Sequence, residues 1–319
     1  MSENWYINFV KTSLEVIRNS HVPLRSSKFS KKKYTQHQLL TLIILKEKIG
    51  KDYRDFTELL PNLTTITDII QLEEIPHYTT LQKFLSRIPS LTFRIILKNV
   101  IRRLHQKGEI IRITSIDSTG FTSSYASHYY SKRINKTRKS FIKASIAVDS
   151  DKLIILGWKF SKVPVHDSQH AKSLINQVIR IKKSDCFTMD KGYDSEKIHQ
   201  YIRENIGAES IIPVRKWNGN IYSGKYRKEM IENFNQEKYG QRNMVETVFS
   251  VIKRKYNENV RSRKYFNQIK EIKIRMLIHN KGEGYNSSIN SSLVSPACLM
   301  MLFIVPFEIS LWFGIVSLR

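Results

Sequence analysis

Cysteine is nearly absent from this chain: two residues, Cys186 and Cys298, lie far apart with no CxxC pair. That leaves no basis for a disulfide framework or a thiolate zinc site, and a reducing compartment is expected. Acidic residues are also scarce. There are 28 Asp plus Glu against 53 Lys plus Arg in 319 residues, a formal charge of +25. Such an excess draws polyanions through counterion release and long-range steering, so nucleic acid is the leading partner. A solubility charge or an anionic membrane surface would carry the same sign, and charge does not separate them. The first residues, "MSENWYINFVKTSLEVIRNS", lack the unbroken apolar run and cleavage site of a signal peptide. A cytoplasmic, nucleoid-associated protein is expected. No internal repeat is evident, and the 41% hydrophobic content permits a proper core.

Residues 34–105 read as short helices. "QLLTLIILKEKIG" ends at Gly50, "DFTELL" stops at Pro61, "TTLQKFLSRIP" runs from a Thr cap to a Pro stop, and "LTFRIILKNVIRRLH" is a basic amphipathic helix. Residues 1–108 therefore form a helical region that suits either a helix-turn-helix DNA-binding module or a plain bundle. From about residue 110 the period changes. "IIRITSID" is a short strand; "FIKASIAVDS" alternates, with Ile142, Ala144, Ile146 and Val148 on one face; "KLIILGWKFS" follows a turn. Next come a helix "HAKSLINQVIRIKK", a strand "DCFTMD", a helix "SEKIHQYIREN" and a strand "SIIPVRK". The class is α/β: a mixed sheet of about five strands with flanking helices, over residues 109–282, preceded by the all-α region.

Three acids fall where such a sheet would gather them. Asp117 ends the first strand, Asp190 ends the fourth, and Glu246 projects from a late helix. If the first and fourth strands are neighbours, the two aspartates sit side by side at strand carboxyl ends. Close carboxylates repel and raise one another's pKa unless a cation joins them. Oxygen ligands without cysteine favour Mg²⁺, with Mn²⁺ possible, and two such ions roughly 4 Å apart serve phosphoryl transfer. Taken singly, each acid is equally an ordinary turn cap or a solvated helix charge; only their joint placement argues for a site. The run "YGQRNMVETVFSVIKRK", 239–255, reads as one helix carrying Tyr239, Arg242, Glu246 and Lys253 on one stripe, at about 100° per residue. There Arg242 and Lys253 could hold phosphate and Tyr239 could stack or donate a hydrogen bond. A separate apolar stripe, Val245, Val248, Phe249 and Ile252, faces the core.

That spacing of Tyr, Arg, Glu and Lys resembles the signature of insertion-sequence DDE transposases. "TSIDSTGF", "MDKGYDS" and "YYSKRINKTRKSFIKASIAVD" resemble the same family's core, and "IPHYTTLQKFLSRIP" its amino-terminal helical segment. The resemblance spans about residues 34–280. It implies an RNase H-like core with a DDE triad at Asp117, Asp190 and Glu246 holding two Mg²⁺ ions. It implies cleavage at the transposon's terminal inverted repeats to free a 3′-hydroxyl, joining of that end to target DNA, and a homodimer on double-stranded DNA. Tyr239, Arg242 and Lys253 carry over as DNA-handling residues. Two other outcomes stay open: a catalytically retired DNA-binding relic, and an RNase H-like nuclease without strand transfer.

The loop holding Lys132, Arg133, Lys136, Arg138, Lys139 and Lys143, interleaved with Tyr129 and Tyr130, suits a DNA-backbone track, though a solvated basic hairpin has the same composition. In "VPVHDS", His166 and Asp167 could orient a ligand near the site, but the simpler expectation is that Asp167 or Ser168 caps the next helix. "KWNGNIYSGKYRKEM" reads as a basic insertion or a linker. Residues 283–319 form a polar linker and an apolar tail expected to lie outside the fold. Pro306 and Glu308 interrupt the tail's run of about twenty apolar residues, so a read-through end is favoured over a membrane segment.

Overall fold

The protein is described here as a computed structural model covering residues 4–123, 140–162, 165–215 and 224–290. The chain opens with α1 (Trp5–Asn19), whose first turn is capped by the Asn4 side chain accepting from the Tyr6 N–H at 2.9 Å. Helix α2 (Gln36–Ile49) begins in a capping box between Thr35 and Gln38 and ends at Gly50, whose φ of 77° is the left-handed stop that glycine makes cheaply. Leu40, Leu42, Ile43 and Leu45 are fully buried, so α2 is the axis of the amino-terminal bundle. Helix α5 (Tyr78–Arg87) packs on α2 and carries α3 (Tyr53–Leu59), while α4 (Thr64–Ile70) and α6 (Ser90–Leu104) pack on α1.

The sheet follows. Strand β1 (Ile111–Ser123) pairs antiparallel with β2 (Ser140–Asp149), and β2 with β3 (Ile154–Ser161). Helix α7 (Ser168–Ile179) crosses over to β4 (Ser184–Met189), which lies parallel to β1. After a 3-10 turn at Lys191–Tyr193 comes α8 (Glu196–Gln200), and then β5 (Glu209–Ile211), parallel to β4. The order β3-β2-β1-β4-β5 is the mixed, RNase H-like sheet expected from the sequence. Hairpins serve the antiparallel pairs and helical crossovers the parallel ones, as chain geometry requires. Ile142, Ala144, Ile146 and Val148 are buried as their alternation implied, yet Ser145 and Ala147 on the other face are buried too, because helices cover both sides.

The remaining helices are α9 (Lys225–Glu232), α10 (Gln236–Gly240), α11 (Asn243–Tyr256) and α12 (Tyr265–Asn290). Helix α12 packs on α6, α2 and β3, with Ile272, Ile274 and Met276 wholly buried. It also runs through Asn290, into the polar stretch read as linker.

Four boundaries differ from the sequence expectation. Strand β1 continues well past Asp117. Strand β5 stops at Ile211, just short of Pro213, which has no N–H for a ladder. Helix α7 ends at Ile179 rather than near Lys183. The single helix over 239–255 is two: α10 ends at Gly240, and Gln241 and Arg242 form a turn before α11. No helix among the described residues is long and apolar enough to cross a membrane.

Helix α12 is bolted to α1 by Lys281, whose amine donates to the Phe9 carbonyl and to Ser13 Oγ. Burial pushes the Lys281 pKa down to about 6, far below its usual 10.5. The unfolded chain thus binds the extra proton between those values, and stability rises as pH climbs from about 6 toward 10.5. Ser13 Oγ itself donates to the Phe9 carbonyl at 2.7 Å, so that acceptor survives loss of the lysine. Lys281→Met is expected to gain about 1 kcal/mol at pH 7 and to flatten the pH trend, read by urea unfolding at pH 7 and pH 9. Unchanged pH dependence in the variant would refute the assignment.

Candidate active site

The site is built where the parallel pairing of β1 and β4 ends. Ile116 stands opposite Met189, so the next residue on each strand, Asp117 and Asp190, brings a carboxylate to the same end of the sheet. The strand adjacency on which their meeting depended is therefore present. Asp117 Oδ1 accepts the Ser118 N–H at 2.7 Å, and Asp190 Oδ2 accepts the Gly192 N–H at 3.3 Å across the 3-10 turn.

Glu246 arrives from the first turn of α11, whose Val245, Val248, Phe249 and Ile252 pack into the core as their spacing implied. The link between Glu246 and the aspartates is Arg242. Its Nη1 lies 3.0 Å from Asp117 Oδ2 and its Nη2 lies 2.6 Å from Glu246 Oε1. Arg242 is the residue before the first turn of α11, and its pair with Glu246 has the i,i+4 spacing of a helix. Tyr239, half-buried on Phe234 with ring centroids 5.1 Å apart, lies with its ring 5.8 Å from the Arg242 guanidinium. Burial raises the Tyr239 pKa, keeping the hydroxyl protonated as a donor.

Burial raises the Asp117 pKa to about 6, and Asp190 and Glu246 push the same way, while the Ser118 N–H and Arg242 pull it down. Like charges crowd this carboxyl, which is the electrostatic condition a cation relieves. Yet no three His, Cys, Asp or Glu among the described residues converge closely enough to hold a metal ion. Arg242 supplies the positive charge between Asp117 and Glu246. The donors fit a hard divalent cation by chemistry and by charge, with the guanidinium as its present stand-in.

Lys253 lies seven residues beyond Glu246 on the same face of α11, where it pairs with Glu258 at 3.3 Å and lies over the Phe121 ring at 5.7 Å. Lys132, Arg133, Lys136, Arg138 and Lys139 lie outside the described residues, as do Tyr129, Tyr130 and the tail from residue 291.

Sequence reasoning missed a second layer. Asp167 does not cap α7: its side chain makes no bond to a helix amide. Instead it pairs with Lys143 of β2 at 2.6 Å, and against the opposing effect of burial Lys143 and Ser118 both hold its pKa below the usual carboxylate range. Ser118 Oγ also meets Ser145 Oγ at 2.6 Å and Tyr193 Oη at 2.7 Å, and Ser145 Oγ meets His170 Nδ1 at 2.7 Å. The only signal in sequence was the acid in "VPVHDS", which a capping rule absorbs. Asp194, four residues past Asp190, is a clamp: it accepts from Arg227 at 2.9 and 2.8 Å and from the Arg215 N–H at 2.8 Å.

Sheet order and acidic site together define an α/β protein with an RNase H-like sheet and acidic residues gathered where the pairing of its central strands β1 and β4 ends. The family described as "Transposase DDE domain" matches residues 108–281, more than half of the chain, and the chain belongs to that family. Its members generally use divalent metal ions. No curated protein matches. Among solved structures, a piggyBac transposase synaptic complex with hairpin DNA is 12% identical, with TM-score 0.46, over 94% of this chain and 77% of that one. A simian T-cell lymphotropic virus intasome in complex with PP2A regulatory subunit B56 gamma is 10% identical, with TM-score 0.28, over 74% and 64%. Both likenesses are remote, and the geometry above stands without them.

Proposed function

We propose that this chain is the DNA transposase of an insertion sequence. It would bind the element's terminal inverted repeats, hydrolyse a phosphodiester at each end and join the freed 3′-hydroxyl to target DNA. The observation that carries this reading is the β1–β4 register, which sets Asp117 beside Asp190, with Glu246 tied to Asp117 through Arg242. Asp117, Asp190 and Glu246 would hold two Mg²⁺ or Mn²⁺ ions, which supply Lewis-acid activation of the nucleophile and stabilisation of the leaving oxygen. The residues of the chain do the rest. Arg242 exchanges its carboxylate partners for a DNA phosphate, to which a guanidinium bonds in bidentate fashion. Tyr239 flanks it with a ring and a protonated hydroxyl. Water and then the 3′-hydroxyl act as successive nucleophiles.

The helical region 1–108 is proposed as the DNA-reading part of the chain. On α5, Gln82, Lys83, Ser86 and Arg87 are exposed while Leu81 and Leu85 are buried, the two-faced pattern a recognition helix needs. A homodimer on DNA and a nucleoid location follow from the need to hold two ends together. The basic loop at Lys132, Arg133, Lys136, Arg138 and Lys139, together with Lys253, is proposed to track the backbone.

The test is Mg²⁺-dependent cleavage and joining of labelled DNA carrying the element's own ends. Joined product supports the transposase; cleavage without joining would favour a nuclease; tight binding with neither would favour a relic, the state that the Arg242 bridge by itself resembles. Arg242→Ala is expected to weaken end binding and to lower the salt slope of log K by about 1, the change expected on losing one phosphate contact. An unchanged slope in a binding titration across salt would remove Arg242 from the DNA interface.

A further inference from the structure

Asp167 touches the two backbone positions that orient the triad aspartates. Its carboxyl lies near enough to Ser118 for that side chain to hold its pKa down, and the Ser118 N–H donates to Asp117 Oδ1 at 2.7 Å. Its Oδ2 also lies against Gly192, whose N–H donates to Asp190 Oδ2 at 3.3 Å. A Cβ on Gly192 would stand 3.0 Å from Oδ2 of Asp167 and 3.6 Å from Oδ2 of Asp190, so the missing side chain is what lets both carboxylates close on the turn. Asp167 is itself held. Lys143 pairs with it at 2.6 Å while also donating to the Val165 carbonyl at 2.5 Å, just before Asp167 in the chain. Ser118, tied further to Ser145 and Tyr193, fixes the β1 side of the same assembly.

We infer that Asp167, anchored by Lys143, is a positioning residue that sets the spacing of Asp117 and Asp190 by bracing Ser118 and the Gly192 turn. Its ion pair runs to Lys143 rather than to either aspartate's partner, and the helix that follows it, α7, packs on β2, β3 and the Lys191–Tyr193 turn. This inference rests on the proposed metal-dependent triad. Groups that orient metal ligands from behind commonly change metal affinity ten- to a hundredfold when removed.

The test is Mn²⁺ binding to the full chain, followed by electron paramagnetic resonance at a temperature where circular dichroism shows each variant folded. Asp167→Ala is expected to weaken Mn²⁺ binding about ten- to hundredfold, and Lys143→Met to weaken it less. Asp167→Asn keeps an oxygen for Lys143 or Ser118 and is expected to recover most of the affinity. If Asn is as poor as Ala, Asp167 is a ligand in its own right and the positioning role is overturned. Unchanged affinity in both Ala and Asn variants overturns it as well. Should Asp167→Ala fail to fold, the Asn and Lys143→Met variants carry the test: Lys143→Met must lose affinity while Asn retains it. Glu246→Gln is the control. If it binds Mn²⁺ as the wild type does, or if neither binds, the triad reading falls and this inference with it. A loss in Glu246→Gln without one in the Asp167 and Lys143 variants sinks the positioning role alone.

Discussion

Glu246→Gln is expected to abolish cleavage and joining while leaving end binding intact. The substitution keeps the shape of a side chain that is 55% exposed at the site, and removes one of the three charges that would hold the ions. Losing several kcal/mol of transition-state stabilisation corresponds to about 10³-fold or more in rate. Asp117→Asn should fall at least as far, since that carboxyl is more buried and also loses its ion pair with Arg242. Initial rates of strand cleavage on pre-nicked and intact ends, beside gel-shift affinities, measure both quantities. Rates within tenfold of wild type for Glu246→Gln would remove it from the chemistry.

The second large effect is on the fold around the site. Asp194→Ala is expected to cost about 3–5 kcal/mol of stability, because it removes the carboxylate from a largely buried ion pair. The Asp194 side chain is 1% exposed and Arg227 is 16% exposed, and they meet at 2.8 Å. Asp194 also takes the Arg215 N–H, so its loss removes a contact to Arg215 as well as to Arg227, beside the turn that carries Asp190. Chemical denaturation of the variant measures the cost, and the double variant Asp194→Ala/Arg227→Met should regain part of it. A cost below about 1 kcal/mol, the range of a solvent-exposed pair, would show the clamp to be superficial.

Local signals carried much of this site. Alternating residues in β2, the Thr35 capping box and the Gly50 stop are written into a few neighbouring residues, and the structure follows them. Asp117 and Asp190 were legible as acids near strand ends, although β1 runs on past Asp117. The single helix read over Tyr239 to Lys255 is two, because periodicity averaged over the run does not register a two-residue interruption, yet Arg242 still meets Glu246 four residues on.

The sequence by itself determined the order of strands and helices, the covered faces of the sheet and the identity of the three acids. These depend on side-chain period, caps and turn residues, which act over a few positions. Only the tertiary structure decided that β1 lies beside β4, that Arg242 stands between Asp117 and Glu246, and that Asp167 braces the aspartates instead of capping α7. Each of those is a meeting of residues far apart in the chain. Strand crossover and the packing of helices on both faces of the sheet set such meetings, and no local pattern records them.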